Sequence, residues 1–281
     1  MSSDFPDSFT GFYQKGEHDL RHNRIFNPLG VTNPYLNYGL TIPGEEVYAH
    51  QRYVAQKRLC LATAGRLAFK SQNDLSGHKL IIAAGCGTGA GEIDVWSYLS
   101  PARDLRIHGI DSSPDQIDLA TRLIGTEDRV SFSLGNAGEL AIQANQSFPV
   151  TGIYSVEAVQ HFSPDVLTGF INSSHAVLTP GGRIAFSTFF ATETTSVEHF
   201  SPRYPTVAAG LDFMHNIGVI RKLLLLAGFE DIQIESIGRQ VFPGLAQWVK
   251  IVDPNHNWVD RFVEDLDAGM LDYYIVSAQK T

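Results

Sequence analysis

From Lys79 onward, short β-rich apolar runs alternate with stretches whose apolar residues recur at helical spacing. The pattern predicts strands at Lys79–Ala84, Arg106–Ile110, Val130–Leu134, Thr151–Val156 and Gly182–Phe189. It predicts helices between and after them, at Gly89–Leu99, Pro114–Ile124, Pro164–Leu178 and Leu211–Ala227. Two late strands follow at Ile232–Ile237 and Tyr273–Ala278. Strands alternating with helices imply a mostly parallel, doubly wound α/β sheet. Ser113-Pro114 and Ser163-Pro164 each put a capping hydroxyl before a first-turn proline. Thr179-Pro180-Gly181-Gly182 stops a helix and turns the chain into a strand.

Three segments break the alternation. Residues 1–75 are aromatic-rich and then helical, and read as an N-terminal cap over a core at 76–281. Residues 191–210 and 240–270 read as lid insertions, because long excursions from an α/β core tend to be binding loops. All three can gather over the carboxyl ends of the parallel strands, where such sheets bind ligands.

A net charge of −9 with no Lys/Arg run argues against nucleic acid as a partner. Two cysteines, Cys60 and Cys86, form no disulfide framework and no zinc motif, so no metal is expected. With no signal-like start and no spanning apolar run, the chain is expected to be cytoplasmic and not membrane-inserted. Self-association is left open.

The densest chemical signal is "IIAAGCGTGAGEID", with glycines at every second position from Gly85 to Gly91, where a strand ends and a helix begins. Glycine permits a tight turn and close approach of another body. Gly85, Gly87 and Ala90 satisfy the dinucleotide pattern G-x-G-x-x-G/A, and Asp111 closes the next strand where a ribose would be held. On these residues alone a nicotinamide dinucleotide and S-adenosylmethionine both remain open.

"LIIAAGCGTG", "GIDSSPDQIDLA", "VSFSLGNAGEL", "YSVEAVQHFSPD" and "LTPGGRIAFSTF" follow in order. Together they resemble the class I S-adenosylmethionine-dependent methyltransferases, over roughly residues 30 to 280, in the small-molecule branch that includes sterol, tocopherol and natural-product enzymes. The resemblance implies a Rossmann-like, doubly wound seven-stranded sheet and a role in secondary metabolism. It implies that Gly85, Cys86, Gly87, Thr88 and Gly89 line the methionine portion of the cofactor. Asp111 would hold the ribose, with Ser112 and Gln116 beside ribose and adenine. Asn136 and Ala137 would address the adenine, Val156 would face the sulfonium, and Tyr38 would cover the cofactor. The chain departs from the family at Ile82, Ala83 and Ala84, which are apolar where an acid often precedes the first glycine.

On the acceptor side, the resemblance puts Glu157 and His161 at the methyl end as candidate catalytic groups, with His161 the candidate base because histidine titrates near neutrality. The same stretch is similar to cyclopropane fatty-acid synthases, but Gln160 and Ser187 replace the residues that hold their bicarbonate. Phe12, Tyr13, Phe26, Tyr35, Tyr53, Phe189, Phe200, Phe213 and Trp248 are candidates for an aromatic acceptor pocket. The expected reaction is methylation of a small, largely apolar metabolite, at a hydroxyl oxygen or a nucleophilic carbon. Carbocation-forming methylation of an isoprenoid is the alternative. A diphosphate acceptor would need cations, for which Arg21, Arg24 and Arg52 are available.

Overall fold

The computed structural model describes residues 24–31, 35–67, 79–99, 105–124, 129–140, 148–255 and 258–281. Seven strands form one sheet: β1 (Lys79–Ala84), β2 (Leu105–Asp111), β3 (Val130–Leu134), β4 (Val150–Val156), β5 (Leu178–Ala191), β6 (Phe229–Ser236) and β7 (Leu271–Lys280). Their spatial order is β3-β2-β1-β4-β5-β7-β6. The first five are mutually parallel, and β7 runs antiparallel between β5 and β6. The main helices are α1 (Ala49–Gly65), α2 (Ala90–Leu99), α3 (Pro114–Ile124), α4 (Pro164–Val177), α5 (Ile217–Leu226), α6 (Gly238–Val252) and α7 (Trp258–Asp267).

Strand β1 shows why the sheet is covered on both faces. Its buried residues alternate sides, so Leu80, Ile82 and Ala84 join Phe170 and Ile171 of α4 and Ile220 and Leu224 of α5. Ile81 and Ala83 face the opposite way, against Cys60 and Ala64 of α1 and Val95 and Leu99 of α2. A strand buried on both faces reads as an unbroken apolar run, as "LIIAA" does. A third cluster packs Phe242 and Leu245 of α6 and Phe262 of α7 onto Phe189, Tyr273 and Ile275.

The element boundaries differ from expectation in two places. Helix α5 starts at Ile217 rather than Leu211, because Asn216 caps it by accepting a hydrogen bond from the Gly218 amide at 2.8 Å. Thr179–Gly182 lies inside β5 as an irregularity, with Gly181 at φ +81°, rather than before the strand. The segment expected as a lid at 240–270 is built as packed helix: Phe242, Trp248 and Trp258 are fully buried. It still sits at the carboxyl edge of the sheet, since β7 begins at Leu271 opposite Ala191, the last residue of β5. In the 191–210 segment, Phe200 and Tyr204 are buried, and Arg203 pairs with Asp265 of α7.

Candidate active site

One cavity of about 580 Å³ opens at the carboxyl ends of β1, β2 and β4. Its floor is the turn from β1 into α2, where Gly85, Gly87 and Gly89 have φ of +70°, +54° and +74°. The Gly85 amide donates to Ile110 O at 2.7 Å, folding the loop against the end of β2. A Cβ on Gly85 would sit 2.2 Å from the Ala158 Cβ, so two strand ends meet there without a side chain between them. We expect Gly85→Ala to lower the melting temperature and weaken nucleoside binding, because a positive φ alone costs of order 1–3 kcal/mol for a non-glycine residue. A thermal melt and calorimetry check this, and an unchanged melt would contradict it.

Asp111, the last residue of β2, fastens the loop. One carboxylate oxygen accepts from the Gly87 amide and the other from the Ser113 amide, each at 2.9 Å. Burial raises its pKa, and those backbone donors work against the rise. Ser112, Gln116, Asn136 and Ala137 line the adjacent wall. Gln116 is buried, and its Oε1 has no hydrogen-bond partner. The Asn136 side chain accepts from the Gly138 amide at 2.9 Å and caps a 3₁₀ turn, so its oxygen already has a local task.

At the other end, Val156 closes β4 and Glu157 follows it in the left-handed region, at φ +51°. Two bonds hold that conformation: the Glu157 amide donates to Ser187 O at 2.8 Å, and Gln160 Nε2 donates to Glu157 O at 2.8 Å. The side-chain Oε1 accepts from the Tyr38 amide at 2.7 Å and from the Tyr273 hydroxyl at 2.9 Å. Burial pushes the Glu157 carboxyl up to about 8, and the Tyr38, Tyr273 and Arg52 contacts oppose it.

His161 lines the same end. Its Nδ1 lies 2.7 Å from Asp212 Oδ1 and 3.2 Å from Leu211 O. Its Nε2 lies 3.3 Å from Gln160 Nε2. Burial works to lower the His161 pKa, but the Asp212 carboxylate outweighs it and the net effect is a rise. Asp212 was missed in the sequence. It arrives from the β5–α5 connection, fifty-one positions downstream, which is tied to the turn after β4 by the Phe213 amide donating to Gln160 O at 2.6 Å and by His215 Nε2, 2.9 Å from Phe162 O.

These shifts share one sign. Glu157 and Glu92, the latter raised by burial to about 7, ionise with more difficulty in the folded chain than the ordinary value of 4.5 implies. Their stabilising preference for the folded state is therefore present at low pH and lost as pH rises through those values; a raised His161 behaves likewise. The melting temperature of the ligand-free protein should fall between about pH 5 and 8, and Glu92→Gln should flatten the early part of that fall. A pH series of melts that rises over this range would refute the assignment.

The structure corrects several positions. Tyr38 does not line the cavity: its ring packs on Phe189, Trp258 and Phe262, while Leu36 and Asn37 of the same segment face inward. Gly89 serves packing, since a Cβ there would meet Ile124 and Phe132 at 2.7 Å. Among the expected acceptor-pocket aromatics, Tyr35 lines the cavity, while Phe26, Phe189, Phe200 and Trp248 belong to the core. Tyr53 packs edge-on against Tyr35, and Phe213 stacks on His215. Large apolar rings gain most by full burial, which is why composition alone placed them wrongly. Tyr154 and Phe162 are lining aromatics that the sequence did not single out. Phe12, Tyr13 and Arg21 lie outside the described residues. Arg52 is buried and donates to the carbonyls of Asn37 and Tyr38, so it is committed to the fold.

Residues 81–182 match a protein-family model described as a methyltransferase domain. None of the curated proteins matches the sequence. The chain is similar in structure to a geranyl diphosphate methyltransferase in complex with GPP and sinefungin, at a TM-score of 0.75 and 13% identity, covering 96% of this chain and 97% of that one. It is also similar to geranyl diphosphate C-methyltransferase from Streptomyces coelicolor A3(2), at a TM-score of 0.71 and 15% identity, with 98% and 100% covered. A third similar structure is the [4+2]-cyclase SpnF, at a TM-score of 0.64 and 19% identity, with 95% of each chain covered. The sheet order and these likenesses show the class I methyltransferase fold, within which residues 81–182 match the methyltransferase domain. Among the described residues, no helix is long and apolar enough to cross a membrane.

Proposed function

We propose that the protein transfers a methyl group from S-adenosylmethionine to a hydroxyl of a small, largely apolar metabolite. The His161–Asp212 pair at the cavity wall is the observation that carries this reading. The cavity is of the size used for small ligands, roughly 300–1,000 Å³, and its residues fit the cofactor. The glycine turn leaves room for the amino-acid portion, Asp111 stands where the two ribose hydroxyls can donate, and Gln116 presents an unpartnered oxygen.

When bound, S-adenosylmethionine supplies an electrophilic methyl group on a sulfonium, which departs as S-adenosylhomocysteine. The chain's task is to align the acceptor, exclude water and take the hydroxyl proton. With Nδ1–H directed to Leu211 O and paired with the Asp212 carboxylate, the His161 Nε2 carries the lone pair that receives that proton once the acceptor hydroxyl takes the place of the Gln160 amide beside it. Asp212 then stabilises the resulting imidazolium. Glu157 acts differently: its Oε1 latches the Tyr38 segment to β7, which makes it a positioning residue in this proposal.

Isoprenoid C-methylation draws support from the likeness to geranyl diphosphate methyltransferases. Two observations weigh against a diphosphate acceptor: Arg52 is consumed by backbone carbonyls, and the described cavity lining contains neither Lys nor Arg. The test is incubation with labelled S-adenosylmethionine and a panel of phenols, alcohols and prenyl diphosphates. New O–CH₃ products support the reading, and a new C–CH₃ bond overturns it.

A further inference from the structure

S-adenosylmethionine carries a cationic α-ammonium at its amino-acid end, and a buried cation needs an anion or several acceptors to hold it. The last three residues of β1 are apolar, so that strand offers no acid. Four carboxylates line the cavity. Asp111 holds two backbone amides and, in the reading above, the ribose hydroxyls; Asp212 Oδ1 makes no hydrogen bond but is paired with His161 Nδ1 at 2.7 Å; and Glu157 bonds Tyr38 and Tyr273. Glu92 differs. It is 4% exposed, its Oε1 accepts from the Tyr154 hydroxyl at 3.1 Å, and its buried Oε2 has no partner.

Its position matters as much as its free oxygen. Glu92 stands in the first turn of α2, directly after the glycine turn, and its backbone amide donates to Gly89 O. Tyr154 is the register partner of Ala83 on β1. The carboxylate therefore reaches from the helix to the end of β1, where the strand itself contributes only methyl groups. A buried acceptor without a donor costs free energy, and this one is retained beside the cavity.

We propose that Glu92 binds the α-ammonium group of the cofactor through this free carboxylate oxygen. The inference rests on the S-adenosylmethionine reading above. Burial holds the Glu92 carboxyl near neutrality, with the Tyr154 hydrogen bond opposing the rise, so a nearby cation readily draws it into the ionised form.

Calorimetry separates the two ideas. S-adenosylhomocysteine and its analogue lacking the α-amino group are titrated into wild type and Glu92→Gln. Wild type should bind the amino compound at least tenfold more tightly than the deaminated one. Glu92→Gln should bind the deaminated compound as wild type does and lose most of that preference. A variant that keeps the preference overturns the assignment. So does wild type binding both compounds equally, a measurement that needs no variant to fold. Binding of neither compound by wild type would overturn the cofactor reading itself, and this inference with it.

Discussion

His161→Ala should cut turnover about 10²–10⁴-fold, the range lost when a positioned general base is removed, while S-adenosylhomocysteine affinity stays near wild type. The separation is expected because Asp111 ends β2 and His161 lies on the turn after β4, on either side of β1, so each would meet a different part of the bound molecules. Asp212→Asn is the more discriminating variant. It keeps a side chain of the same shape beside Nδ1 but removes the charge that raises the His161 pKa. Its pH–rate profile should shift to a lower apparent pKa, and its turnover should fall less than in His161→Ala. If neither substitution changes turnover, proximity alone carries the reaction and the base assignment fails.

Asp111→Ala should weaken S-adenosylhomocysteine binding at least tenfold. A hydrogen bond to a charged group contributes roughly 1.5–3 kcal/mol, and two ribose hydroxyls would be deprived of one. The structure adds a complication, because the same carboxylate holds the Gly87 and Ser113 amides. Alanine would therefore loosen the turn as well as remove the acceptor. A 2′-deoxyribose analogue separates the effects: wild type should discriminate against it and Asp111→Ala should not. Equal discrimination by both would show that the loss comes from the loop alone.

The strands were legible because their apolar runs are short and end in turn residues; Lys79–Ala84 and Val130–Leu134 have the predicted bounds. The edges of β5 and β7 were underestimated, since Leu178 and Lys280 extend a pairing that only the partner strand reveals. The glycine turn and Asp111 were legible because each needs a particular residue type at a strand end. Asp212 and Glu92 were not. Both are ordinary acids in their local sequence, and only burial beside a cavity gives them chemical meaning. The aromatic residues failed for the opposite reason: a phenylalanine against a ligand and one in a core look alike along the chain.

The carboxylate of Glu157 joins parts of the polypeptide made far apart in time. It holds the Tyr38 amide and the Tyr273 hydroxyl, 119 and 116 residues away along the chain. Thr41 and Trp248 add crossings of the same kind, to Gln240 and to Arg24 and Ile25. During synthesis the glycine turn emerges early and Arg52 and Gln56 can hold the segment with Leu36 and Asn37 soon after, but the Tyr273 hydroxyl reaches Glu157 only after β7 has left the ribosome. Contacts so distant in sequence are slow to form, because the loops between them must close first. Every described residue that lines the cavity lies between Tyr35 and Asp212, so the last strand contributes to its wall only through that latch on Glu157.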